Sequence, residues 1–216
     1  MAAGICLVLS YFLIRLGRDW PAKISLAIFA FACIFLLSMS GTYHLLPRDS
    51  AGRAVLARLD HAGIFLLIAG TFTPIHVILF KGWKRWLPLT LVWTAAITGI
   101  TLKSIFFSEV SEGLGLTFYL SLGWLGIASI ILLCRDYGWS AIELPAVAAL
   151  AYTVGALLEY CRWPVILPGV VGPHELFHAA VLVGVASFWK FIREIASGEL
   201  VHEKSPPALA SGLEIV

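Results

Sequence analysis

Residues 59–80 read LDHAGIFLLIAGTFTPIHVILF, a run in which no Asp, Glu, Lys or Arg follows Asp60. Its length matches the roughly 20 apolar residues that a helix needs to cross the hydrocarbon core of a bilayer. Membrane-spanning β-strands would instead alternate apolar and polar residues over about ten positions. The run therefore predicts a transmembrane helix, with a kink expected at Pro74.

Six further apolar runs flank this one, separated by short polar or basic joints. Their approximate bounds are residues 1–16, 23–46, 86–107, 114–134, 139–161 and 171–191. The first run begins at the initiator methionine and is short, since its residues reach only about 24 Å as a helix. We predict an all-α, polytopic bundle of seven transmembrane helices over residues 1–192, followed by a flexible polar tail over residues 193–216.

The composition agrees with a membrane protein. Of the 216 residues, 60% are hydrophobic and 13% are charged, whereas soluble domains are about 45–50% apolar and about 25% charged. We therefore expect an integral, multi-pass protein of the cell membrane, with membrane lipid as its partner. The formal net charge of +2 is too small to indicate nucleic-acid binding.

The basic residues are distributed unevenly between the two predicted membrane faces. One face carries Arg15, Arg18, Lys23, Lys81, Lys84, Arg85, Arg135, Lys190, Arg193 and Lys204. The other face carries Arg48, Arg53, Arg58, Lys103 and Arg162. Because lysine and arginine concentrate on the cytoplasmic side of membrane proteins, this asymmetry favours a cytoplasmic C-terminus.

Ionisable residues cluster where the second run ends and where the third and seventh begin, which the alternation of spans puts on one membrane face. His174 and His178 are spaced i, i+4 and share a helical face, and His44 would supply a third imidazole. Three protein ligands around zinc leave a fourth position open, as in catalytic sites. Asp60 could then act as general base, and Ser40, one turn before His44, could hold a water or orient a ligand.

Two other interpretations of this cluster remain open. A hydrogen-bonded polar cluster could lock the packing of the helices without any metal. Residues 174–178 also fit the H-E-x-x-H motif of zinc proteases, in which Glu175 would be the base and a third ligand would follow downstream. The downstream acidic residues Glu194 and Glu199 lie toward the other membrane face, which disfavours the protease interpretation.

Three further polar residues lie inside or beside the apolar runs. We expect His61 and His76 to be packing or interface residues. Glu159 is near the end of the sixth run, where we expect it to pair with Arg162, with a contact to substrate as the alternative.

Four segments taken together carry a family resemblance: SGTYH at 40–44, RLDHAGIFLLIAGTFTP at 58–74, YTVGALLEY at 152–160 and PGVVGPHELFH at 168–178. In this order they resemble the haemolysin III proteins of the progestin and adiponectin receptor family. The resemblance implies seven helices around a zinc ion. It also implies His44, His174 and His178 as the ligands, with Asp60 and Ser40 beside the water at the metal.

The resemblance supports this site more strongly than it supports one activity. Members include receptors with ceramidase-type activity, the wider group includes alkaline ceramidases, and the bacterial branch carries a haemolysin label. The leading hypothesis is a zinc-dependent hydrolase of lipid amides. The alternatives are a pore-forming protein and a receptor or regulator with a structural zinc. Receptor members hold zinc near the cytoplasm, whereas the charge asymmetry puts this site on the outer face.

Overall fold

The computed structural model describes residues 1–47, 49–107 and 109–202, without the side chains of Glu112, Val201 and His202. These residues form helices and connecting loops, and no strand occurs among them. The helices are α1 (Ala2–Arg15), α2 (Trp20–Leu45), α3 (Ala51–Leu79), α4 (Trp83–Ile105), α5 (Glu112–Trp124), α6 (Gly126–Tyr137), α7 (Glu143–Cys161), α8 (Pro173–Ser197) and α9 (Glu199–His202). A 3-10 turn at Ser140–Ile142 precedes α7.

Six helical segments are long and apolar enough to cross a membrane. They are α2, α3, α4, the combined segment Gly113–Tyr137, the segment Ser140–Cys161, and α8. The all-α, multi-pass prediction is therefore confirmed for six segments. Helix α1 has only 14 residues, which is about 21 Å of helix, and it buries Cys6 and Leu13 in the core that it shares with α2.

Helix bounds differ from the prediction in two places. Helix α3 begins at Ala51, inside the polar joint between the second and third apolar runs, where the sequence predicts a loop. The last long helix runs to Ser197 and is followed by α9, so helix extends past residue 192. The rest of the predicted polar tail, residues 203–216, lies outside the described residues.

Exposed tryptophans mark the ends of the long helices. Trp20 begins α2, Trp83 and Trp86 belong to the first turn of α4, and Trp139 precedes α7. Trp163 follows the other end of α7, and all five side chains are more than half exposed. Tryptophan is enriched where membrane proteins meet the lipid headgroups, so these positions mark the two membrane interfaces.

The helices that carry the predicted ligands belong to two closely packed pairs, α2 with α3 and α7 with α8. Small residues permit this packing, as is common between membrane helices. A Cβ at Gly70 of α3 would lie 2.7 Å from the Ala32 Cβ of α2. A Cβ at Gly155 of α7 would likewise lie 2.6 Å from the Ala180 Cβ of α8. The close approach within each pair fixes the relative positions of their ends.

His76, near the end of α3, joins three helices through its two ring nitrogens. Its Nδ1 is 2.8 Å from the Lys84 carbonyl oxygen of α4, and its Nε2 is 2.8 Å from the Ser129 hydroxyl of α6. A carbonyl oxygen only accepts, so Nδ1 carries the proton and Ser129 donates to Nε2. The ring is completely buried, in agreement with the packing role predicted for it.

Candidate metal centre

The ends of two helices position the three histidines. His44 lies in the last turn of α2, which ends at Leu45. His174 and His178 lie in the first two turns of α8, whose first residue is Pro173. Proline suits this position because its fixed φ matches the helix and its missing N–H has no partner there to lose. The i, i+4 spacing then puts both imidazoles of α8 on the face toward α2.

The three imidazoles converge, as the sequence predicted. The Nε2 atom of His174 is 3.3 Å from Nε2 of His44 and 3.1 Å from Nε2 of His178. The ring centroids of His44 and His178 are 5.0 Å apart. One nitrogen from each residue lies within 4.8 Å of the others, a grouping that could hold a metal ion.

These distances fit zinc. Zinc binds imidazole nitrogen at about 2.0–2.1 Å in a tetrahedral shell, so neighbouring donor atoms lie about 3.3–3.4 Å apart. Two of the three nitrogen separations, 3.1 and 3.3 Å, are close to that value, and all three are within 4.8 Å. The donor set also fits, because histidine is the preferred nitrogen ligand of zinc and a set of three leaves one position open.

Glu159 of α7 orients His174, which sequence reasoning did not anticipate. Its Oε1 is 3.0 Å from His174 Nδ1. An ionised carboxylate only accepts, so Nδ1 carries the proton and Nε2 presents a lone pair toward the other two imidazoles. Metal-binding histidines commonly donate their second N–H to a carboxylate in this way. That rule, applied to residues predicted at the same membrane face, makes Glu159 a candidate partner but does not say which histidine it faces.

Arg53 of α3 holds the end of α2 that carries His44. Its Nη1 donates to the carbonyl oxygens of Tyr43 at 3.1 Å and Leu46 at 2.6 Å. Its guanidinium also lies 4.4 Å from the centre of the Tyr43 ring. These contacts satisfy carbonyl groups that a helix end otherwise leaves without a partner, and they explain why the polar segment before residue 59 is ordered as helix.

Asp60 and Ser40 line the same large cavity as the three histidines, a space of about 1480 Å³. The Asp60 carboxylate interacts electrostatically with the imidazoles of His44 and His178. One turn deeper along each helix the wall becomes apolar, at Leu36, Ile64, Val181 and Leu182. The polar end of this cavity thus holds the candidate ligands and the apolar part extends into the bundle.

Two polar neighbours have other roles than metal binding. Glu175 accepts a hydrogen bond from the Gly172 N–H at 2.8 Å, which caps the start of α8. In an H-E-x-x-H protease the third ligand would follow the motif along the chain. Here the third imidazole, that of His44, precedes the motif and comes from α2. His61 donates from Nδ1 to the Ala57 carbonyl oxygen at 2.7 Å, within its own helix.

Comparison with known proteins agrees with the resemblance noted in the sequence. The profile of the family described as haemolysin-III related matches residues 1–189. A protein of Bacillus cereus named Hemolysin-3 is 36% identical over 128 residues, which cover 59% of this chain and 55% of that protein. A Hemolysin-3 homolog of Bacillus subtilis is 29% identical over 173 residues, which cover 80% of this chain and 77% of that protein. No solved structure matches. The chain therefore belongs to the haemolysin-III-related family of integral, multi-pass membrane proteins.

Proposed function

We propose that the protein is a zinc-dependent hydrolase that cleaves the amide bond of a membrane lipid, as a ceramidase does. The observation that carries this proposal is the convergence of three imidazole nitrogens at the polar end of a cavity that Asp60 also lines and whose other walls are apolar. We also propose that α1 crosses the membrane, which makes seven spans in all, and that the protein resides in the cell membrane.

His44, His174 and His178 would hold the zinc ion, with Glu159 keeping His174 in the tautomer that presents Nε2. When bound, zinc would polarise the amide carbonyl and make water a better nucleophile. Asp60 would accept the proton of the water that attacks the carbonyl carbon and return it to the amine nitrogen as the C–N bond breaks. The products are a carboxylic acid and an amine.

The cavity suits a lipid with a polar linkage and long chains. Polar groups at the helix ends would meet the amide, and the apolar walls deeper in the bundle would contact an acyl chain. Ligand sites of this kind are mostly apolar with a few placed polar groups. Ser40, one turn before His44 on α2, would orient water or the substrate linkage at the boundary between the two regions.

The activity is tested with purified full-length protein and a fluorescent ceramide. We expect Asp60→Asn to lower turnover by about 10²–10⁴-fold, the range typical of a lost general base, while the zinc content stays unchanged. Glu143→Gln removes an exposed carboxylate at the start of α7, away from the cavity, and should leave turnover unchanged. Equal turnover in wild type and Asp60→Asn, or none in either, contradicts the proposal.

The metal is tested separately by elemental analysis of the purified protein. Wild type should hold about one zinc per chain, and His44→Ala should lose it, since only two imidazoles of the set of three remain. His61→Asn is the matched control, because His61 lines the cavity but bonds to its own helix. Zinc retained in His44→Ala would exclude this ligand set.

Two other functions are favoured by particular observations. The relatives are named haemolysins, which favours a pore-forming or membrane-perturbing protein. Conductance in planar bilayers that survives removal of zinc would support that function. The histidine group also joins α2 to α8, which would suit a receptor or regulator with a structural zinc. Stability that depends on zinc, without turnover of any lipid amide, would support that one.

A further inference from the structure

A second, smaller cavity lies at the end of the bundle opposite the histidines. It has a volume of about 230 Å³ and lies between the α1–α2 joint, the α3–α4 joint and the end of α8. Helix α2 connects the two sites, because its first turn reaches this cavity and its last turn carries His44. Since one water occupies about 30 Å³ of the liquid, the space admits a small polar group together with several waters.

Three basic side chains line this cavity: Arg18, Lys81 and Arg85. The one acidic residue among its described lining residues, Asp19, already accepts a hydrogen bond from the Ala22 N–H at the start of α2. The lining thus carries three positive charges and one negative charge. This excess of positive charge favours an anionic ligand.

Two of the three cations have no polar partner among the described residues, and the Arg18 guanidinium packs against Gly198 at the end of α8. Arg18 and Lys81 make no hydrogen bond or ion pair with any residue that the structure describes, and both side chains are exposed. Arg85 directs Nε to the Phe80 carbonyl oxygen at 2.8 Å. A nearby cation, Lys84, is instead already paired with Asp136 at 2.7 Å. The basic groups of the cavity therefore have no acidic partner among the described residues, whereas Asp136 neutralises Lys84.

The start of α4 contributes a local positive potential, while the carbonyl ends of α3 and α8, which also line the cavity, contribute a negative one. Helix α4 starts at Trp83 beside this cavity, and its N-cap residue, Gly82, offers no side-chain hydrogen bond to the first N–H groups. The N-terminal end of a helix carries a partial positive charge and free N–H donors, both of which favour phosphate. Trp83 and Trp86 are largely exposed next to it, which puts the cavity at the level of lipid headgroups.

We propose that this cavity, formed by Arg18, Lys81 and Arg85 beside the start of α4, binds an anionic phosphate group. Two sources carry that chemistry at a membrane surface, the headgroup of an anionic phospholipid and free phosphate. Arginine and lysine recognise phosphate through charge-assisted hydrogen bonds, and basic pockets between membrane helices bind anionic headgroups. The site is separate from the histidine group and does not depend on the proposed hydrolase activity.

Native mass spectrometry of the full-length protein in detergent tests the proposal, with added short-chain phosphatidylglycerol, phosphatidylcholine or inorganic phosphate. Wild type should retain phosphatidylglycerol at concentrations where phosphatidylcholine is lost. The double variant Arg18→Gln/Lys81→Gln should bind phosphatidylglycerol about tenfold to thirtyfold more weakly, as expected for two lost surface cations. Unchanged zinc content and thermal stability would show that the variant is folded.

A second double variant, Arg135→Gln/Lys190→Gln, removes the same charge from the same end of the bundle but outside the cavity. It should change binding by less than about threefold, because it alters only the distant surface charge. If inorganic phosphate competes with phosphatidylglycerol or binds in its place, free phosphate is a source of the bound group and the site is supported. Equal loss in both double variants, equal retention of phosphatidylcholine, or no anion bound by wild type would each overturn the proposal.

Discussion

At the scale of single residues, Glu159 determines how His174 can act as a ligand. We expect Glu159→Gln to lower the zinc affinity by about 10–100-fold, the usual effect of removing a carboxylate behind a metal-binding histidine. The amide can still accept from Nδ1 but lacks the negative charge. Competition with a fluorescent chelator measures the affinity. Glu143→Gln, the same change at the other end of α7, should have no effect, and equal affinities in both variants would contradict this role.

The convergence of the three histidines could be predicted from the sequence, whereas the pairing of Glu159 with His174 could not. The i, i+4 spacing of His174 and His178 fixes a shared face, and counting the spans puts His44 at the same membrane face. Glu159 faces His174 only because α7 and α8 pack in a particular register. That register depends on contacts such as Gly155 against Ala180, which the spacing of residues along the chain does not reveal.

At the scale of helices, Arg53 ties the start of α3 to the end of α2. We expect Arg53→Gln to loosen residues 43–46 and to weaken zinc binding, because it removes two hydrogen bonds to backbone carbonyl groups. Hydrogen bonds from a charged donor contribute about 1.5–3 kcal/mol each to stability. Hydrogen exchange followed by mass spectrometry should show faster exchange at the end of α2. Arg58→Gln, on the same helix, should leave the exchange there unchanged.

The contact between His76 and Ser129 provides a second prediction at this scale. Ser129→Ala leaves the buried Nε2 of His76 without a donor, so we expect the free energy of unfolding to fall by about 1–2 kcal/mol. The free energy of unfolding is measured in mixed micelles. The zinc content reports separately on the distant histidine group. Ser121→Ala, at an exposed position of α5, is the matched control. A loss of zinc in Ser129→Ala would argue against a purely structural contact.

The presence of each long helix was predictable, but its bounds were not. A run of about 20 apolar residues can satisfy its backbone in lipid only as a helix, and this holds whatever surrounds it. The start of α3 at Ala51 depends instead on Arg53 and its contact with Tyr43 of α2. Without knowledge of such a contact, charged residues next to an apolar span predict a loop. Likewise, no proline or charged residue in the sequence marks the change from α5 to α6 at Leu125.

At the scale of the whole molecule, the histidine group links two closely packed helix pairs. His44 belongs to the α2–α3 pair, whereas His174 and His178 belong to the α7–α8 pair. A cation held by all three would cross-link the pairs across the mouth of the large cavity. The six long segments were expected from composition, but this division into pairs follows from the positions of small residues on particular helix faces.

The cross-link predicts that stability depends on zinc. A ligand that binds only the folded state stabilises it by about 4 kcal/mol when its free concentration is 1,000 times its Kd. We therefore expect a zinc chelator to lower the Tm of the purified protein by about 5–15 °C, as measured by differential scanning fluorimetry. His44→Ala should start near the lower Tm and respond little to the chelator, because it cannot close the link. A chelator that lowers the Tm of both proteins equally would place the stabilising metal elsewhere in the molecule.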